Sequence, residues 1–81
     1  MRLPRDVSGR QLVKSLASLG YRVTRQAGSH VRLSCEQPTQ HHVTIPNHDE
    51  LRIGTLAAIL GDIAAHHGLS REALIEKLFG R

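Results

Sequence analysis

Two alternating runs joined by a short polar turn, Tyr21-Arg22-Val23-Thr24-Arg25-Gln26 and His30-Val31-Arg32-Leu33-Ser34-Cys35, set the architecture of this chain. Tyr21, Val23 and Ala27 alternate with Arg22, Thr24 and Gln26, and Val31, Leu33 and Cys35 with His30, Arg32 and Ser34, the period of a half-buried strand. Ala27-Gly28-Ser29 lies between them, so the pair reads as an antiparallel hairpin. Opposed residues share a face, which sets Val23 against Leu33 and Tyr21 against Cys35. That register predicts a three-residue turn, with His30 opposite Gln26. A two-residue Gly28-Ser29 turn would oppose Val23 to Ser34 and bury the wrong set, and is rejected. The hairpin thus holds an imidazole at its lip, facing away from the core.

Upstream, Ser8-Gly9-Arg10-Gln11 is a capping box, and Val7 with Leu12 can staple the start of a helix. Leu12, Leu16 and Leu19 then form one apolar face, and Gly20 ends the helix, predicted over about 9–19. Downstream, the polar segment 36–40 reads as a turn, and Val43 and Ile45 alternate in a third strand. Pro46 lacks an amide donor, so this strand belongs at an edge and the second at the centre. Matching Val43 to Cys35 and Ile45 to Leu33 places His42 opposite Glu36 and, continued, His48 opposite His30. Ile53, Leu56, Ile59, Leu60 and Ile63 return to helical spacing within about 54–66. Gly61 inside that helix suggests close packing on the sheet, Gly68 closes it, and His66 and His67 fall in its last turn. Ser70 caps a third helix running to about Leu78, with Leu74 and Leu78 inward. The expected fold is α+β: helix, three antiparallel strands, helix, helix, with the helices on one face of the sheet. Arg22, Thr24, Gln26, His30, Arg32 and Ser34 would line the other.

The chain has 81 residues, enough for a single domain with a modest core, and only Tyr21 and Phe79 are aromatic. The lone Cys35 allows no intrachain disulfide and suits a reducing compartment. Neither a signal peptide nor a membrane span is present in the pattern, so a cytoplasmic protein is expected. The formal charge of +4 is unevenly spread. Arg2, Arg5, Arg10, Lys14, Arg22, Arg25 and Arg32 precede residue 36 against one acid, Asp6, whereas acids outnumber bases in the rest. Such a basic half suits a polyanionic partner.

Metal binding is not expected from this pattern. Adjacent histidines such as His41 and His42 point to opposite faces of a strand, no helix carries a His-x-x-x-His pair, and one cysteine cannot make a zinc set of thiolates. Ser29 and His30 diverge as strand neighbours and lack a carboxylate nearby in sequence, so a Ser–His nucleophile is disfavoured. RNA phosphodiester chemistry needs less. The ribose 2′-hydroxyl is a built-in nucleophile, and a base with nearby cations can suffice. His30 suits that base, or an acid to the leaving 5′-oxygen, with Arg22, Arg32, Arg25 and Lys14 as phosphate contacts and His48 as a second proton-transfer group. A merely solvated turn histidine fits the residues as well.

The residues also carry a family likeness. The capped helix, Leu19-Gly20-Tyr21-Arg22-Val23, Gly28-Ser29-His30, Val43-Thr44-Ile45-Pro46 with His48, and Ile53-Gly54-Thr55-Leu56 resemble the HicA toxin family in order and spacing. The likeness covers about residues 7–69, leaving 70–81 as a C-terminal helical extension, and departs at Val31, where many members carry a second histidine. It implies a double-stranded-RNA-binding-domain-like fold and a metal-independent ribonuclease toxin acting on mRNA. It maps the catalytic histidine onto His30 and implies a HicB antitoxin that blocks the site; Gly28 and Ser29, in the turn beside it, are expected as further RNA contacts. The rival reading is a non-catalytic RNA-binding module on the same fold.

Overall fold

The computed structural model describes residues 3–80, so Arg2 of the basic half lies outside the described residues. The chain forms α1 (Gly9–Leu16) with a 3-10 turn (Ala17–Leu19), β1 (Arg22–Ala27), β2 (His30–Cys35), β3 (His41–Pro46), α2 (Ile53–His67) and α3 (Arg71–Phe79). The expected α+β order and three-stranded antiparallel sheet are present, with β2 central and β3 at an edge.

Local signals account for the helices. The Ser8 hydroxyl accepts from the Gln11 amide at 3.0 Å, and the Gln11 side chain accepts from the Ser8 amide at 2.8 Å. This reciprocal box satisfies two amides that a helix start leaves unpaired. Gly20 and Gly68 close α1's terminal turn and α2 in the left-handed conformation, and the Ser70 hydroxyl accepts from the Ala73 amide at 3.0 Å. Leu12, Leu16, Leu33, Ile45, Leu60, Ile63 and Leu74 are fully buried, so every layer, α3 included, contributes to one core.

Register is where the structure departs from the sequence reading. Val23 does oppose Leu33, but the ladder is broken between Val23 and Arg25, and Ala27 opposes His30. The turn is therefore the two residues Gly28-Ser29, with Gly28 at φ +58°, and not three. A bulge at Thr24 absorbs the extra residue, which removes the objection to the shorter turn. Downstream of the bulge the faces exchange. Gln26 now opposes buried Val31 on the helix side, and Arg25 opposes Arg32 on the open side.

The third strand is also displaced. Val43 opposes Leu33, Ile45 opposes Val31, His42 opposes Ser34 and Pro46 opposes His30. The shift is two residues from the expected pairing, so the same side chains stay buried. A period-2 pattern cannot distinguish the two registers. His48 accordingly does not face His30 across a rung. The ladder ends with the Asn47 amide donating to the Ser29 carbonyl at 2.6 Å.

Helices α1 and α2 cover β3, whereas the outer side of β1 has less cover, leaving Val23 51% exposed. Ile53, expected inward, is 50% exposed at the start of α2. Gly61 does not mark contact with the sheet, since the atom a Cβ there would meet is the Arg71 guanidinium, 3.5 Å away. The close approach belongs to Gly9. A Cβ at this position would sit 2.0 Å from the Pro46 carbonyl oxygen. Its amide donates to the His48 carbonyl at 2.9 Å, and the Leu51 amide donates to the Val7 carbonyl at 2.8 Å. These contacts lock the start of α1 onto the segment that follows β3.

Candidate active site on the open face of the sheet

Three successive rungs build the uncovered face: Ala27-His30-Pro46, Arg25-Arg32-Thr44 and Arg22-Ser34-His42. Alternate residues of a strand share a face, so His30, Arg32 and Ser34 line up along β2 with their cross-strand partners beside them. The faces follow from the bulge. In an unbroken strand Thr24, and not Arg25, would oppose Arg32. The Thr24 hydroxyl still reaches this face, bonding the Arg32 carbonyl at 3.4 Å and approaching the Ser34 hydroxyl at 3.5 Å.

His30 is exposed, immediately after the Gly28-Ser29 turn, and the Ser29 carbonyl is tied to Asn47. The turn that carries the imidazole is thus braced from β3 while its ring faces solvent. One rung away, Arg25 and Arg32 stand directly opposite each other, and no carboxylate among the described residues pairs with either. Like charges directly opposed in a sheet are destabilising. The arrangement suits an anion that neutralises both.

At the third rung the Ser34 hydroxyl is hydrogen-bonded to His42 Nδ1. Sequence reading missed this pair because the assumed register put His42 against Glu36. Ser34 is only 9% exposed, so the bond holds the His42 imidazole close over the sheet. His42 lies opposite Ser34, which stands four residues along β2 from His30, about 13 Å. The two imidazoles therefore do not flank one phosphate.

The remaining expected residues fall elsewhere. Gly28 and Ser29 form the turn beside His30, as expected, and Arg22 lies at the far rung of the open face. His48 is exposed just past the end of the ladder, its carbonyl held by Gly9. Lys14 is not on this face. It lines a groove between α1 and α3 with Arg5, Asp6, Gln11 and Phe79.

The other three histidines gather on the helix side at the opposite end of the sheet. The buried Tyr21 hydroxyl bonds His41 Nδ1 at 2.6 Å and His67 Nε2 at 3.1 Å. His41 stacks on His66 with ring centres 4.1 Å apart, and buried Cys35 lies beside them. Burial, then the neighbouring Cys35 thiol, keeps the Tyr21 phenol protonated well beyond its ordinary range. Burial, then the nearby His66 and His41, holds His67 below the usual histidine value.

No helix among the described residues is long and apolar enough to cross a membrane. No curated protein and no solved structure matches the chain closely enough to compare. A family model described as the HicA toxin of bacterial toxin–antitoxin matches residues 9–64, from the first residue of α1 to within α2, and spans the whole sheet with its His30 turn. With that match extending over more than half of its length, the chain belongs to the HicA toxin family.

Proposed function

We propose that this toxin is a metal-independent endoribonuclease that cleaves mRNA, with His30 as its general acid/base. The observation that carries the reading is the unneutralised Arg25–Arg32 rung next to the exposed His30 imidazole. Two opposed guanidiniums weaken a free sheet and gain by binding phosphate. An imidazole one rung away can then reach a ribose attached to that phosphate.

The chemistry balances without further machinery. The 2′-oxygen bonds to phosphorus while His30 accepts its proton. The P–O5′ bond breaks, and the leaving oxygen takes a proton from water. The arginines stabilise the charge that develops on the phosphoryl oxygens. Arg22 extends the basic track away from the turn, and Gly28 and Ser29 offer backbone close to the bound strand. His48 serves as a second proton-transfer group only if its loop turns toward the His30 lip. Lys14, on another face, contributes long-range attraction and not a contact at the same phosphate.

The α-β-β-β-α order resembles double-stranded-RNA-binding domains, which read backbone shape more than sequence. The whole chain acts as one domain in this reading, with 70–81 as an extension whose α3 completes the core. A HicB-type antitoxin in the cytoplasm would block the His30 turn, and an acidic segment is the natural complement to the arginine rungs.

Induced expression of His30→Ala in growing cells, alongside incubation of the purified protein with RNA, tests this. Loss of growth arrest and of cleavage, with RNA still bound, is expected. Undiminished arrest by the variant would remove His30 from the mechanism. If the wild-type protein binds RNA and leaves it intact, the non-catalytic module is the better description.

A further inference from the structure

The histidines at the far end of the sheet form a more ordered group than a solvated surface would produce. Cys35 at the end of β2, His41 opposite it at the start of β3, and His66 in the last turn of α2 each place one donor atom within 4.8 Å of the others. Three elements converge there, so no sequence spacing betrays the set.

We propose that Cys35, His41 and His66 bind a divalent transition-metal ion of the zinc class. The donor chemistry fits: one thiolate and two imidazoles suit zinc better than magnesium or calcium, which take oxygen ligands. The tautomers fit too. His66 Nε2 lies 3.0 Å from the Thr39 carbonyl, which can only accept, so that nitrogen carries the proton and Nδ1 keeps its lone pair. His41 Nε2 lies 3.4 Å from an Asp62 carboxylate oxygen, so Nδ1 is its ligating atom, and the Tyr21 hydroxyl that donates to Nδ1 in the metal-free protein must turn its proton to His67 Nε2 when the ion binds. Each ligand imidazole is therefore braced through its other nitrogen by a carboxylate or a carbonyl, the outer shell that metal-bound histidines characteristically have.

Tetrahedral zinc needs one sulfur and two nitrogen donors about 3.3–3.5 Å apart, given bonds of about 2.0 Å to nitrogen and 2.3 Å to sulfur. Contraction from 4.8 Å requires the His66 ring to rotate off its stack with His41, a side-chain movement at half-buried residues. The Cys35 thiol gives its proton to solvent as the metal–sulfur bond forms, and water completes the fourth position. The ion clips both edges of the 36–40 loop to α2, a useful staple in so small a domain. The site lies on the helix face, five residues along β2 from His30, about 17 Å. It is separate from the ribonuclease chemistry.

Titration of zinc chloride into the untagged, chelator-treated full chain, followed by calorimetry and thermal melting, tests this. One equivalent per chain with a raised melting temperature is expected. His66→Gln, at a half-buried position that need not disturb the core, should weaken affinity at least tenfold, and Cys35→Ser should do the same. Cobalt should show a thiolate charge-transfer band that Cys35→Ser lacks. His30→Ala should bind zinc as the wild type does, which separates this proposal from the catalytic one. Absence of stoichiometric binding by the folded wild type would overturn it. So would affinity unchanged in both folded variants, or cobalt binding without the thiolate band.

Discussion

The two ends of β2 carry the same side chain in opposite circumstances. At one end His30 projects into solvent beside arginines that pair with no carboxylate among the described residues, on a turn braced through its backbone. At the other, His41, His66 and His67 are stacked or hydrogen-bonded around the buried Tyr21 hydroxyl and Cys35. The lesson is that a histidine's neighbours decide its use. A ring meant to exchange protons with a substrate must stay accessible, whereas one that orders a corner of the fold is held by hydrogen bonds and stacking.

The largest test of that contrast is catalytic. Replacing His30 with Ala should lower the RNA cleavage rate about 10²- to 10⁴-fold without changing the circular dichroism spectrum. His42→Ala, four residues along the face, should cost far less. Equal losses from the two would erase the distinction between the turn and the rest of the open face.

Stability should respond in the opposite pattern. Gly9→Ala forces a methyl into the Pro46 carbonyl oxygen 2.0 Å away, so the start of α1 must lift off. A loss of about 1–3 kcal/mol in urea unfolding is expected. Tyr21→Phe removes the hydroxyl shared by His41 and His67 and should cost about 1 kcal/mol, with cleavage kinetics unaltered. A cleavage defect in that variant would couple the two ends.

The smallest effect changes sign between assays. Arg25→Ala relieves the repulsion with Arg32 and should raise the melting stability of the free protein by about 0.2–1 kcal/mol. The same change should weaken RNA binding and reduce the salt slope, log K against log salt, by about 0.7. A variant that is neither more stable nor a weaker binder would show the arginine pair to be incidental. The family's toxin role is shared by every outcome above, and what the experiments decide is the chemistry behind it.

Local physics was legible in the chain itself. The Ser8–Gln11 box, the Gly20 and Gly68 stops, the Ser70 cap and the periods of 2 and 3.6 each depend on residues within a few positions of one another. The exposed His30 at a Gly-Ser turn, too, follows from alternation alone. Long-range pairing did not. The bulge at Thr24 moved Arg25 onto the open face and Gln26 off it, and a two-residue slip moved His42 beside Ser34. Hydrophobic period 2 is blind to the two-residue slip, which preserves the buried set, whereas the bulge exchanges the faces of β1, and its one trace in the chain is the charged Arg25 at an inward position of the alternation. The Cys35–His41–His66 group is the extreme case. Its members come from three elements, and only the packing of α2 against β3 brings their donor atoms within 4.8 Å of one another. Sequence determined which elements form and which faces are wet. Tertiary structure decided which polar side chains meet, because cross-strand and helix–sheet neighbours are set by register and packing, which no local pattern encodes.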